Sequence, residues 1–188
     1  MTIDCKLSWN EHIDAICTKI SRNIGVLNKL RCFPLNILLM LYNAIIQPYF
    51  QYCNIAWGSS SNSAMLRLLR LQKRAVRVIS HASYLAHTKP LFLELKLLNV
   101  FDFTDFNLAI FMYLCYNELI PTSLSDKFCL NTEVHAHNTR GSSNFHLPKI
   151  RTCVSQNSVF FKGPKIWNEL PSYIKNSNCF TVFKRRLK

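Results

Sequence analysis

The chain has 188 residues, which is enough to bury one substantial hydrophobic core or two small ones. Hydrophobic residues make up 49% of it, charged residues 18%, and only four residues are glycine, a composition that excludes an intrinsically disordered protein. The formal net charge of +13 favours an anionic partner, because clustered Lys and Arg are typical of proteins that bind nucleic acid or a membrane surface.

The basic residues are concentrated in two zones of the chain. Residues 61–100 carry seven basic side chains and one acidic one, and residues 131–188 carry ten basic and two acidic ones. The segment 101–130 between them carries four acidic side chains and one basic one. The two basic zones are therefore the places where an anionic partner is expected to bind.

The N-terminal sequence, the apolar stretches and the cysteines indicate the cellular compartment in which the protein is expected. The N-terminal residues MTIDCKLSW contain no basic segment followed by an apolar run, so no signal peptide is predicted. The apolar stretch 35–46 is too short, and too interrupted by Asn36 and Asn43, to span a bilayer. The eight cysteines form no CxxC pair, which favours reduced thiols, most of them small core side chains. We therefore expect an intracellular protein, cytoplasmic or nuclear, that is not secreted and has no membrane partner.

The first predicted helix lies near the N-terminus. Ser8 and Glu11 have the spacing of a capping box, which predicts a helix from Trp9 to about Arg31. Its apolar stripe consists of Ile13, Ile16, Ile20, Ile24 and Leu27. Lys19 and Arg22 lie off that stripe and are available to a partner.

A second helix is predicted over 35–46, with Pro34 in its first turn. It is apolar nearly all round, so it is expected to be central. Pro48 should end or kink it. The aromatic residues that follow are interpreted as core and helix-junction packing.

The segment 66–79, LRLLRLQKRAVRVI, separates basic from apolar residues along a helix that Ser61 or Ser63 is expected to cap. At about 100° per residue its basic side chains fall within roughly a third of the helix circumference. We call this arc the basic stripe: Arg67, Arg70, Lys73, Arg74 and Arg77. Five like charges repel one another, and no Asp or Glu occurs between Cys53 and Leu93. The pattern indicates either a solvated helix face or a face that binds phosphate or a membrane surface.

Two more helices are predicted after the basic stripe. Thr88 is expected to cap a short helix that reaches Leu97, and Asp102 to cap an apolar helix that reaches about Glu118. Asp102 and Asp105 have the spacing of paired metal ligands, but Asp in a first helical turn is what the helix dipole favours. No metal site is predicted there.

The polar stretch 129–153 has no helical period, which predicts an ordered loop or a short hairpin. Its potential zinc ligands match no finger or knuckle spacing, so no metal is predicted: Cys129, His135, His137, His146 and Cys153. Arg140 and Arg151 are candidates either for contact with a phosphate backbone or for capping neighbouring helices.

Helical structure is expected to resume at Gly163–Trp167. Ser177 is expected to cap the final helix, which ends in Lys184, Arg185 and Arg186.

The sequence contains no recognisable catalytic apparatus. There is no GxSxG motif, and the four glycines cannot form a phosphate-cradling loop. The ten acidic residues include no adjacent Asp pair of the kind that holds two metals for nucleotidyl transfer. No catalytic residue, cofactor or small-molecule substrate is predicted, and the chain is not expected to be a complete enzyme.

Seven blocks in a fixed order carry a resemblance to a known family. They are LSWNEHI at 7–13, LYNAIIQPYFQYCNIAWG at 41–58, LQKRAVRVI at 71–79, AHTKPLF at 86–92, HAHNTR at 135–140, GPKIWNELPSYIKNS at 163–177 and FKRRLK at 183–188. Together they resemble the C-terminal region, the thumb and the helical segment after it, of reverse transcriptases from LINE-type, non-LTR retrotransposons. In that family the catalytic palm, with its aspartate pair, and the endonuclease precede this region.

The resemblance implies a nucleic-acid-binding thumb or accessory fragment of an RNA-directed DNA polymerase that is not active alone. Its partners would be the upstream polymerase palm and an RNA, DNA or RNA–DNA hybrid duplex held through its backbone phosphates. The candidate contacts are the basic stripe together with Lys19, Arg22, Arg140, Arg151, Lys184, Arg185 and Arg186. The alternative is a helical protein-interaction remnant, or a degraded retroelement copy without activity.

The expected fold is mainly α. A bundle of several long helices is followed by a less regular, partly extended C-terminal segment. Residues 1–120 are expected to form a thumb-like helical bundle, and residues 121–188 a basic accessory region that contains the loop 129–153 and terminal helices.

Overall fold

The computed structural model describes residues 1–5, 7–134 and 141–187. Its regular structure consists of helices, in the order α1 (Asn10–Lys29), α2 (Leu35–Ile45), α3 (Gln47–Gln51), α4 (Asn54–Trp57), α5 (Asn62–Ile79), α6 (Thr88–Glu94), α7 (Val100–Tyr116), α8 (Thr122–Ser125), α9 (Asn131–Val134), α10 (Cys153–Asn157), α11 (Val159–Glu169), α12 (Ser172–Lys175) and α13 (Phe180–Leu187). The predicted mainly α fold is confirmed. In the part of the chain that the structure describes, β structure is limited to one antiparallel bridge, between Leu130 and Phe145.

The chain divides into two compact units, Met1–Phe103 and Thr104–Lys188, which we call the first and the second unit. The boundary falls inside α7, whereas the sequence placed it at residue 120. The reason lies in α7 itself, because Val100 belongs to the hydrophobic core of the first unit and Met112 to that of the second.

In the first unit, α1 packs along α5, and α2 contacts both of them. The predicted apolar stripe of α1 is fully buried in this core. The same core contains the large, fully buried side chains of Tyr42, Phe50, Trp57 and Leu68. Burial of this kind stabilises each large apolar side chain by about 1.5–3 kcal/mol, so the packing of α1 on α5 is the main organising contact of the unit.

The start of α1 differs from the predicted capping box. Trp9 precedes the helix in the left-handed region, at φ 62°, and its side chain makes no capping hydrogen bond, while the Ser8 hydroxyl accepts from the Asn10 N–H at 3.5 Å. The Ser8 hydroxyl instead donates to the Asp4 carboxylate, which also accepts the backbone N–H groups of Ser8 and Trp9. These hydrogen bonds, above all the one from the Ser8 hydroxyl, lower the pKa of Asp4. A nearby carboxylate therefore replaces the predicted Ser8–Glu11 pair.

The prediction that α2 is central is wrong. Only Leu38 and Tyr42, one turn apart, are buried within this helix, while Leu35 and Met40 are 41% and 63% exposed. An all-round apolar sequence fails to specify which face packs, since α1 and α5 cover only one side of the helix. The break at Pro48 is confirmed, because α2 ends at Ile45 and a short helix follows.

Three other predicted caps are not formed as predicted. Thr88 is the first residue of α6 rather than its cap, the preceding His87 makes no side-chain capping hydrogen bond, and that helix ends at Glu94. At α7 the side chain of Asn99, not Asp102, accepts the backbone N–H groups of Phe101 and Asp102. Ser177 lies before α13 and donates its hydroxyl to the carbonyl of Ile174.

The prediction that most cysteines are core side chains is wrong. All eight are free thiols, but only Cys115 is buried and Cys17 is half-buried. The exposed ones lie in loops or at helix ends: Cys5, Cys32, Cys53, Cys129, Cys153 and Cys179. Since these positions fall outside the apolar stripes, their small apolar character does not bring them into a core.

In the second unit, α7, α11 and α13 supply an aromatic core. Trp167 and Phe183 are fully buried, and the Tyr113 ring stacks on Phe183 with 4.3 Å between ring centroids. Helix α11 begins at Val159, before the predicted start, and contains Pro164 in its interior. The extended segment after residue 144 is tied to α11 by Asn168, whose side chain accepts from the backbone N–H of Phe145 and donates to its carbonyl. This agrees with the expected less regular segment.

Candidate nucleic-acid interface

Helix α5 presents the basic stripe because its opposite side is held in the core. Ser61 caps the helix, its hydroxyl accepting from the backbone N–H of Ala64, so this predicted cap is confirmed. The buried side chains follow at helical spacing: Ala64, Met65, Leu68, Gln72, Ala75, Val76 and Ile79. With that side buried, the basic side chains can only point toward solvent or toward the rim of the bundle.

Gln72 fixes how α5 is rotated, and the sequence did not indicate it. Its side chain is 1% exposed and makes three hydrogen bonds. The amide nitrogen donates to the Tyr42 hydroxyl and to the Leu98 carbonyl, both at 3.0 Å, and the amide oxygen accepts from the backbone N–H of Val100 at 2.9 Å. A buried amide with several fixed partners allows one orientation of the helix, so it also determines where the basic stripe faces.

A groove of ≈ 550 Å³ runs between α1 and α5. We call it the arginine groove, because three guanidinium side chains line it: Arg22, Arg67 and Arg70. Thr18 and Ser21 add polar side chains, and Cys17 and Leu71 form the remaining wall. The structure thus brings Arg22, predicted separately on the first helix, next to two members of the basic stripe.

Arg67 has a carboxylate partner on α1, Asp14, which does not line the groove. Its guanidinium lies 2.6 Å from a carboxylate oxygen of Asp14, and the two side chains are 45% and 59% exposed. An exposed pair of this kind contributes at most about 1 kcal/mol. Asp14 is far from Arg67 in sequence, so the absence of acids around the stripe did not reveal this pairing.

The other stripe residues differ in how far they are available. Arg77 is half-buried and its Nε donates to the carbonyl of Ala86 at 2.9 Å, which turns it away from solvent. Arg70 and Arg74 are exposed and Lys73 is half-buried. None of these last three forms an ion pair with any residue that the structure describes.

The remaining candidate residues lie elsewhere. Lys19 holds its ammonium 5.9 Å from the centre of the Tyr49 ring, in cation–π distance. In the second unit, Lys184 and Arg185 are exposed on α13, whereas Arg186 donates to the Tyr173 carbonyl and to the Ser177 hydroxyl. Arg151 is exposed in the extended segment. Arg140 lies outside the described residues.

The chemistry available in the arginine groove is anion binding. Burial raises the pKa of Cys17, although Arg67 works against that shift, so the thiol is held in its protonated and less nucleophilic form. Guanidinium groups stay charged at any physiological pH and match the geometry of phosphate oxygens. The groove therefore offers charge and hydrogen-bond donors, without a nucleophile.

The described ranges contain neither a cluster of potential metal ligands nor a membrane-spanning helix. Within 1–5, 7–134 and 141–187, no group of three His, Cys, Asp or Glu side chains could hold a metal ion. Of the possible zinc ligands, His135 and His137 lie outside those ranges. In the same ranges, every helix is too short or too polar to cross a membrane.

The fold and the groove together define a mainly α-helical protein with a net positive charge and a groove lined by three arginines. No family model and no solved structure matches the chain. The probable RNA-directed DNA polymerase from transposon X-element of Drosophila melanogaster is 26% identical to it over 104 residues. The match covers 53% of this chain and 12% of that protein. About half of the chain is thus similar to a part of a transposon RNA-directed DNA polymerase, which supports a retroelement-related function.

Proposed function

We propose that the first unit is a thumb-like region of a retroelement RNA-directed DNA polymerase and holds a nucleic-acid duplex by its backbone. The observation that carries the proposal is the arginine groove, where α1 and α5 bring Arg22 beside Arg67 and Arg70. The similarity to a transposon polymerase supports it. Catalysis would then belong to the polymerase palm, and this region would only position the duplex.

The side chains of the groove suit phosphates rather than bases. Arginine binds phosphate through two parallel N–H groups, and the hydroxyl of Ser21 can donate to a further oxygen, whereas the Thr18 hydroxyl already donates to the Asp14 carbonyl. Among the residues that the structure describes, no aromatic ring lines the groove to stack on a base. Contacts of this kind position a duplex without reading its sequence, which is what a polymerase needs from a region that follows a moving template.

The test is the salt dependence of duplex binding. DNA, RNA and hybrid duplexes of one sequence are titrated by fluorescence anisotropy between about 50 and 200 mM salt. The logarithm of affinity should fall by about 0.9 per tenfold salt for each phosphate contacted. A variant with the three groove arginines, Arg22, Arg67 and Arg70, replaced by Gln should therefore lose about 2.7 of that slope.

A control variant separates local contacts from net charge. Replacing Lys29, Lys89 and Lys96 by Gln removes the same charge from exposed positions outside the groove. This variant should keep most of the salt slope. Equal losses in the two variants, or binding that hardly responds to salt, would refute the proposal.

A protein-interaction module is the second candidate, because α2 leaves apolar side chains in solvent. Leu35 and Met40 are exposed, and Phe33 just before the helix is 42% exposed. The same titration distinguishes the candidates. A protein-interaction module would show no duplex affinity that depends on the arginines of the groove.

A further inference from the structure

A second groove, in the second unit, has aromatic walls. It has a volume of ≈ 450 Å³ and is lined by Lys127, Phe128, Cys129, His146, Pro148, Phe160 and Pro164. We call it the aromatic groove. The rings of Phe128 and Phe160 stack with 5.5 Å between centroids and 30° between planes, and Phe160 is 50% exposed. The groove therefore has an open aromatic ring at its mouth.

The ring stack is anchored on its inner side. Phe128 also meets Phe111 and Phe145 edge-on, at 5.8 and 6.2 Å between centroids. These contacts hold Phe128 in place, and Phe128 in turn supports Phe160. An exposed ring that is braced in this way costs little entropy when a planar ligand stacks on it.

Acidic and basic side chains line different cavities next to Phe128. A separate cavity of ≈ 400 Å³ shares the Phe128 and Cys129 walls and is lined by Glu118, Asp126 and Glu133, with no basic side chain among its described lining residues. Among the described residues that line the aromatic groove, Lys127 is charged and none is acidic. Among the described residues Lys127 forms no ion pair, so it remains able to bind an anion.

The positive charge continues along the chain from the groove wall. Pro148 lines the groove, and it is followed by Lys149 and Arg151, both exposed and without a carboxylate partner in the described ranges. A ligand with a flat apolar face and anionic groups on both sides of it would match this arrangement. An unpaired nucleotide within a strand has that chemistry.

We propose that the aromatic groove binds an unpaired nucleotide of single-stranded RNA or DNA, its base stacked on Phe160 and its phosphates near Lys127 and Lys149. This inference rests on the proposed function insofar as it assumes that the chain binds nucleic acid. It adds a single-stranded site in the second unit to a duplex site in the first. Base stacking on an aromatic ring contributes about 1–3 kcal/mol and tolerates any base.

The experiment compares a fluorescent single strand with an abasic strand of the same length, which has the phosphates but not the bases. Phe160→Ala should weaken binding of the normal strand roughly five- to hundredfold and leave the abasic strand unchanged. The loss should be the same at about 50 and 200 mM salt, because stacking is not electrostatic. Phe160→Trp should retain wild-type affinity, since it keeps an aromatic face.

Tyr173→Ala is the matched control, because Tyr173 is another exposed ring of the second unit, 63% exposed and outside the groove. It should not change the affinity for either strand. Lys127→Gln should weaken both strands alike and lower the salt slope by about 0.7.

Three outcomes would overturn the inference. In the first, Phe160→Ala weakens the binding of both strands equally. In the second, it weakens the binding of neither strand while the duplex still binds with its arginine-dependent salt slope, which refutes only the single-stranded site. Binding of a proline-rich peptide that depends on Phe160, with oligonucleotide affinity unchanged, would assign the groove to a protein. If no nucleic acid binds at all, the proposed function fails as well.

Discussion

Gln72 offers a direct test of how the core of the first unit orients the basic stripe. The substitution Gln72→Met keeps the length and volume of the side chain but removes its three hydrogen bonds. The Tyr42 hydroxyl, the Leu98 carbonyl and the Val100 N–H would each lose a buried partner. A buried polar group that loses its partner costs about 1–3 kcal/mol. We therefore expect the free energy of unfolding of the first unit to fall by about 3 kcal/mol or more.

The assay is urea unfolding followed by circular dichroism, with hydrogen exchange to locate the effect. Amides of α2 and α5 should lose protection together, because Gln72 joins these two helices. Tyr42→Phe removes one of the three bonds and should cost about 1 kcal/mol. In the Gln72→Met background the same change should cost almost nothing, since the bond is already lost.

The reasoning is refuted by a small or uncoupled effect. A loss below about 0.5 kcal/mol is what surface substitutions produce, and it would mean that the buried amide does not hold the helices. Additive costs of the two substitutions would mean that the Tyr42–Gln72 hydrogen bond contributes nothing.

Further predictions concern packing, pH and the groove. Gly163→Ala should destabilise the protein by about 1 kcal/mol in thermal unfolding, because the new methyl group would lie 2.8 Å from the Met112 sulfur. Gly25→Ala is the matched control: Gly25 has open space around it, so this substitution should stabilise the protein by about 0.5–1 kcal/mol. Burial raises the pKa of Tyr42 to about 12, so as the pH rises the Tyr42 hydroxyl loses its proton in the unfolded chain before it does in the folded one. The free energy of unfolding measured in urea should therefore fall between about pH 10 and pH 12, and it should fall less in the Tyr42→Phe variant. Asp14→Asn should release its arginine partner and tighten duplex binding several-fold in anisotropy titrations, and unchanged or weaker binding would contradict that role.

The helical class, the two faces of α5, its Ser61 cap and the break at Pro48 could all be read from the sequence. Each depends on residues within a few positions of one another, because helical periodicity, capping and proline geometry are local. Competition between neighbouring side chains for the same helix end limits the prediction of helix caps. Asp4 accepts the backbone N–H groups of Ser8 and Trp9, and Asn99 accepts those of Phe101 and Asp102, although neither residue was the predicted cap; the spacing of residue types alone does not rank such neighbours.

Only the tertiary structure determined which side chains line each of the two grooves. Arg22 and Asp14 reach the basic stripe only because α1 lies along α5 at one rotation, which the buried Gln72 helps to set. Phe128 and Phe160 likewise meet only when α11 packs in the second unit. The sequence by itself determined the apolar faces of α1 and α5 and where positive charge lies along the chain. Which remote side chains become neighbours depends on how helix surfaces interlock, and no local pattern contains that information.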